Sequence, residues 1–169
     1  MDEAAFDLLT GVVRTYAPWG ETPILKVFQT RDHCSGMSGI TPAGQLATRT
    51  RARALTSWES VAFLRHLYWY LGSELLVIWE GASIHRATEV KDFLVDGWTK
   101  VIHLERFPAY APELNPDEGV WQHLKHVELR HVCCINFAPL SIELELAIRR
   151  LRRRSALIRS FFAGAELNL

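Results

Sequence analysis

"LVIWEGASIHRA", residues 76–87, is the stretch whose reading decides the fold. Four large apolar residues, Leu76 to Trp79, run straight into the carboxylate of Glu80, and a glycine, small residues, His85 and Arg86 follow. The apolar run reads as a buried strand over 75–79. Open α/β sheets bind their ligands at the carboxyl ends of parallel strands, and Glu80 stands at such an end.

Upstream, residues 57–71 place Val61, Leu64, Leu67, Tyr68 and Leu71 at helical spacing. Ser57 or Thr56 serves as the cap, Ser60 stands where a capping-box acid would be ideal, and Gly72 ends the helix. Two hairpins are expected before it, one over 12–30 around Pro18 to Gly20 and one over 36–48 around Pro42 to Gly44. Downstream, a helix is expected from about His85 to Val95 and a strand over 101–104. The loop 107–116 carries three prolines and cannot be a helix interior. Asn115 and Pro116 suit a helix start, and a last helix runs from about Leu140 to Phe161. Hairpins followed by alternating strands and helices point to an α/β fold, a mixed sheet covered by helices.

The bulk composition is that of one domain with a proper core: 169 residues, 49% apolar and 22% charged, with 19 basic and 19 acidic side chains. No apolar run reaches the ~18 residues of a membrane span. The acidic start lacks the basic region of a signal peptide. Cys34, Cys133 and Cys134 form no CxxC pair and read as reduced thiols. A cytoplasmic protein is expected.

Three acidic positions stand out: the Asp2–Glu3 opening, Glu80, and Glu118 in the first turn of "NPDEGVWQHLK". Carboxylates gathered at strand ends and a helix start repel one another unless a cation lies between them. Hard oxygen donors suit Mg²⁺ or Mn²⁺, and two such ions can activate a nucleophile and stabilise a leaving oxygen. Solvent-facing acids at element ends are the plainer alternative.

The motifs "DEAAF", "RTYAPWGETPIL", "IWEGASIHRA" and "FPAYAPELNPDEGVWQHLK" occur in that order. Together they resemble the catalytic domain of mariner-type DDE transposases, the group carried by bacterial insertion sequences. The resemblance covers Asp2 to about residue 150, and its last motif is long and specific. It implies a ribonuclease-H-like fold, with Asp2, Glu80 and Glu118 as catalytic acids binding two Mg²⁺ or Mn²⁺ ions. It further implies double-stranded DNA as substrate, cleavage and strand transfer at element ends, a homodimer, and a bacterial, nucleoid-associated location.

Two departures shape the expectation. The family's second acid is normally aspartate, and the extra methylene of Glu80 displaces the carboxylate by more than ~1 Å, a shift able to cost roughly 10²-fold in rate. Only Met1 precedes Asp2, so the first strand is expected to be truncated and the family's helix-turn-helix region absent, leaving 1–169 as a single catalytic domain. The rival function is a catalytically inactive DNA-binding or dimerisation remnant.

His85 and Arg86 are, by the same resemblance, contacts for substrate phosphate; a capping pair at a helix start is the alternative. "RRLRRRSALIRS", 149–160, holds six arginines and no acid. Arg149, Arg150, Arg152, Arg153 and Arg154 suit a grip on the DNA backbone, with a solvated face partly paired to Glu143 and Glu145 as the alternative. Leu146, Leu151, Ile158 and Phe161 are expected on the buried side of that helix. Trp19, Trp58, Trp69, Trp98 and Trp121 are assigned mainly to packing.

Overall fold

The computed structural model of the chain describes residues 1–8, 16–21, 33–108, 111–134 and 136–167. Three antiparallel strands come first in space: β1 (Asp2–Asp7), β2 (His33–Ile40) and β3 (Leu46–Arg51), in the order β1-β2-β3. β1 pairs with β2 from Asp2 opposite Ser38 to Asp7 opposite His33. Helix α1 (Ser57–Leu71) leads to β4 (Leu75–Trp79), helix α2 (Thr88–Val95) to β5 (Ile102–Arg106), and β4 and β5 pair in parallel. Helices α3 (Asp117–His123), α4 (Phe137–Arg152) and α5 (Ser155–Gly164) complete the chain.

Alternation along β1 sorts the core. Phe6 and Leu8 pack with Trp121 of α3 and with Leu140, Leu144 and Leu151 of α4, while Met1 belongs to the opposite layer under α1 and α2. That second layer is built from Phe63, Leu64, Leu75, Val77, Trp79 and Ile102, among others. Helices therefore cover both faces of the three-stranded sheet.

β1 begins at Asp2. Towards β4 it offers Met1, whose amino group donates to Ile78 O at 2.8 Å and pairs with Asp117 Oδ2 at 2.9 Å. β1 and β4 are not joined as a ladder, so the sheet is in two parts. The strand expected to be buried throughout is buried on one side alone: Leu75, Val77 and Trp79 face the core, whereas Leu76 and Ile78 are 65% and 41% exposed. Four consecutive apolar residues cannot reveal which face of a strand lacks a cover.

Local signals explain the element ends. Thr56 caps α1, and the box acid is Glu59, not Ser60, because the helix count starts one residue earlier. Thr56 N–H donates to Glu59 Oε2 at 3.1 Å, and Arg53 pairs with the same carboxylate at 2.8 Å. Gly72, at φ 68°, closes the helix. The helix expected from His85 begins at Thr88, after a single 3-10 turn over Ser83–His85. The expected last helix is two helices, with the break at Arg153–Arg154. Leu146 is exposed, contrary to expectation, as are Trp19, Trp58 and Trp69. Of the first expected hairpin, the turn is present, with Glu21 N–H donating to Pro18 O at 3.0 Å; its strands lie largely outside the described residues.

The second hairpin turns through Thr41–Gln45, with Gly44 N–H donating to Thr41 O at 2.8 Å. Gly44 has φ +82°, and a Cβ there would meet Ser155 O at 2.5 Å. Gly44→Ala therefore combines left-handed strain with a collision against the α5 backbone, and should destabilise the protein by about 2–3 kcal/mol in chemical denaturation.

Candidate functional site

Asp2 opens β1, and its side chain is turned to the α3 face. It is 3% exposed, accepts from Trp121 Nε1 at 3.2 Å and from Glu3 N–H at 2.8 Å, and lies near further acids. Its pKa is pushed up to about 7, first by burial and then by the charges of Asp117, Glu118 and Glu80, despite the Glu3 N–H bond. A carboxylate so placed is short of positive charge.

Glu80 leaves β4 at its carboxyl end, where β4 and β5 run in parallel. Partial desolvation and the nearby Glu3 carboxylate raise its pKa. Glu118 lies in the first turn of α3, positioned by the loop before it: Asn115 Oδ1 accepts from Asp117 N–H at 3.2 Å and Asn115 O from Glu118 N–H at 3.1 Å. The expected role of Asn115 as the starter of this helix is thus met by its side chain. Asp117 is buried, bound to Ser38 Oγ at 2.5 Å and to the Met1 amino group, and is turned away from the cleft.

Oxygen atoms of Asp2, Glu3 and Glu80 lie within 4.8 Å of one another. Glu118 is not in this tight group. It lines, with Glu80, Arg86, Arg106 and Asn115, a cleft of about 610 Å³, and its charge raises the pKa of both Asp2 and Glu80. The structure therefore draws the three expected acids into one neighbourhood and adds Glu3, which sequence reasoning left as part of the chain's opening. Alternation on a strand turns Glu3 to the opposite face from Asp2, and that face is the one His85 occupies. The donor set fits a divalent cation: all oxygens, anionic, mutually repelling and partly buried.

His85 is a correction. Expected to meet DNA phosphate, it is 3% exposed, with its ring stacked on Trp79 at 4.1 Å and 6°. Nδ1 lies 2.9 Å from Glu80 O and Nε2 2.6 Å from Glu3 Oε1. Burial opposes its charge, but the Glu3 carboxylate and the Glu80 carbonyl outweigh burial, and its pKa is raised. Arg86 is exposed on the cleft wall.

The arginine run is divided. Arg149 pairs with Glu145 at 3.0 Å and Arg150 with Glu128 at 2.6 Å, while Arg152 donates to Leu46 O and Thr48 Oγ1. Arg153 and Arg154, at the break between α4 and α5, are exposed and form no ion pair among the described residues.

The sequence matches the DDE superfamily endonuclease family over residues 1–132, a span holding all four carboxylates of the site. The chain belongs to that family. The fold of this DDE endonuclease domain is similar to the Mos1 mariner paired end complex with Mn, at TM-score 0.68 and 15% identity over 98% of this chain and 52% of that one. The Mos1 mariner paired end complex with Mg gives 0.67 and 16% over 98% and 52%, and a pre-cleavage Mos1 transpososome 0.61 and 13% over 97% and 54%. The chain spans about half the length of these structures. No curated protein matches the DDE domain in sequence. The ribonuclease-H-like α/β architecture expected from its motifs is the one observed. Among the described residues no helix is long and apolar enough to cross a membrane.

Proposed function

We propose that this domain is the catalytic core of a mariner-type DNA transposase of the kind carried by bacterial insertion sequences, cutting and joining DNA at element ends. One observation carries the reading: acids from β1, the end of β4 and the start of α3 converge, and the buried one among them has its pKa raised to about 7. Such an arrangement is costly in a folded protein and is the state a cation relieves. Asp2, Glu80 and Glu118 would hold two Mg²⁺ or Mn²⁺ ions. When bound, these supply Lewis acidity for phosphodiester chemistry.

The chain's own residues do the rest. Trp121 and the Glu3 N–H hold the Asp2 carboxylate in place. Arg86 and Arg106 put positive charge on the cleft wall beside Glu80 and Glu118, where a DNA phosphate would lie. Arg153 and Arg154 are free to grip the duplex backbone farther away, with Arg149, Arg150 and Arg152 shared between the fold and the DNA. Two domains would pair to hold two element ends.

A second reading, a DNA-binding remnant without catalysis, is favoured by one residue, the glutamate at position 80. Calorimetric titration with Mn²⁺ and nicking of supercoiled plasmid separate the two. Catalysis is supported by saturable Mn²⁺ binding together with Mn²⁺-dependent nicks, both lost in Asp2→Ala. Salt-sensitive DNA binding without nicking in any divalent ion leaves the remnant.

A further inference from the structure

Glu80 stands just beyond the last residue of β4, where regular structure ends, on a flexible side chain with an exposed tip. Nothing in the strand ladder fixes its carboxylate beside Asp2. The Met1 amino group already ties the chain start to Ile78 O, and the Glu3 carboxylate bears on that of Glu80; the Glu80 backbone is reached by His85. Its ring lies flat on Trp79, itself 2% exposed, and bridges the Glu80 carbonyl to the Glu3 carboxylate. We infer that His85 is a positioning residue of the cation site, fastening the end of β4 to the start of β1 so that the Glu80 carboxylate is held beside those of Asp2 and Glu3. The inference rests on the cation-site reading above.

The hydrogen bookkeeping supports a clamp. A carbonyl oxygen can only accept, so Nδ1 carries a hydrogen and donates to Glu80 O. Nε2 lies 2.6 Å from Glu3 Oε1, within hydrogen-bond distance. With both ring nitrogens engaged, His85 has no lone pair left for a cation. Buried as it is, it has no face for DNA. What remains to it is orientation, and outer partners of metal-binding side chains commonly govern affinity. Glu3, tied to the same ring, joins the site as a carboxylate that the three-acid pattern does not contain.

Calorimetric Mn²⁺ titration of the whole chain tests this, with thermal melts to confirm folding. His85→Ala should weaken Mn²⁺ binding by about 10–100-fold. His85→Asn puts an amide nitrogen in the place of Nδ1 and keeps the Glu80 bond alone; His85→Gln puts its amide in the place of Nε2 and keeps the Glu3 bond alone. With half a bridge, each should bind Mn²⁺ as poorly as alanine while melting like the wild type. These two half-bridges carry the test even if the alanine variant does not fold. Wild-type affinity in the alanine, asparagine or glutamine variant overturns the clamp. A wild-type chain that binds no Mn²⁺ overturns the cation site and the clamp together, a different result from variants that bind as well as wild type.

Discussion

Asp2→Asn is expected to stabilise the metal-free protein at pH 8 while abolishing its cation binding. The sign follows from the raised pKa. Asp2 titrates at about 7 in the folded chain and at 3.8 when unperturbed, so between these values the folded state holds a proton that the unfolded state releases. Below about pH 3.8 both states are protonated and burial of Asp2 carries no electrostatic cost. Stability is lost as pH rises towards 7, and above 7 the full cost is present, on the order of 4 kcal/mol. Asparagine removes the charge but has one acceptor oxygen where Asp2 satisfies two donors, Trp121 Nε1 and Glu3 N–H. That mismatch returns about 1 kcal/mol. A net gain of about 2–3 kcal/mol remains, or roughly 5–10 °C in Tm at pH 8, shrinking to nothing or reversing by pH 4. Saturating Mn²⁺ should raise the Tm of the wild type and leave the variant unmoved. A variant less stable than wild type at pH 8 would show that the Asp2 charge is already compensated within the fold.

Glu80→Asp is expected to raise Mg²⁺-dependent nicking of supercoiled DNA by about 10²-fold. The glutamate carboxylate lies close enough to Glu3 for the two to raise the pKa of Glu80, a sign that it leans towards the β1 side of the site. Removing one methylene draws the charge back along β4. His85 grips the backbone carbonyl of residue 80, not its side chain, so the clamp survives the change. Equal rates in the two proteins would mean that glutamate is a competent ligand here. No nicking in either would leave the DNA-binding reading standing.

Much of this was legible in the sequence because the signals were local. Helix α1 follows from its apolar spacing and from Gly72, the second hairpin from Pro42 to Gly44, and the start of α3 from Asn115 and Pro116. Glu80 and Glu118 stand out because one follows an apolar strand and the other starts a helix, whereas Asp2 is singled out by its place in the family's motif order. The rest depended on distance along the chain. Glu3 and His85 are 82 residues apart, and no periodicity connects them. That Leu76 and Ile78 lie bare is decided by what the rest of the chain places over β4, not by β4 itself. The arginine run looked uniform, yet its members are separated by partners on β3 and in the segment after α3, Glu128 among them. In the sequence His85 reads as a phosphate contact or a cap at a helix start, and only its burial and stacking on Trp79 show it to be interior.

The position of the indoles has an optical consequence. Of the six tryptophans, Trp79 stacks on the histidine that bridges Glu3 and Glu80, and Trp121 donates directly to Asp2. Both are buried, whereas Trp19, Trp58 and Trp69 face water. Red-edge excitation and acrylamide quenching can silence the water-facing group and leave emission dominated by the interior ones. The protein thus carries one native fluorophore bonded to Asp2 and another separated from Glu3 by a single histidine, and occupancy of the cleft can be followed by light without a label or a substrate.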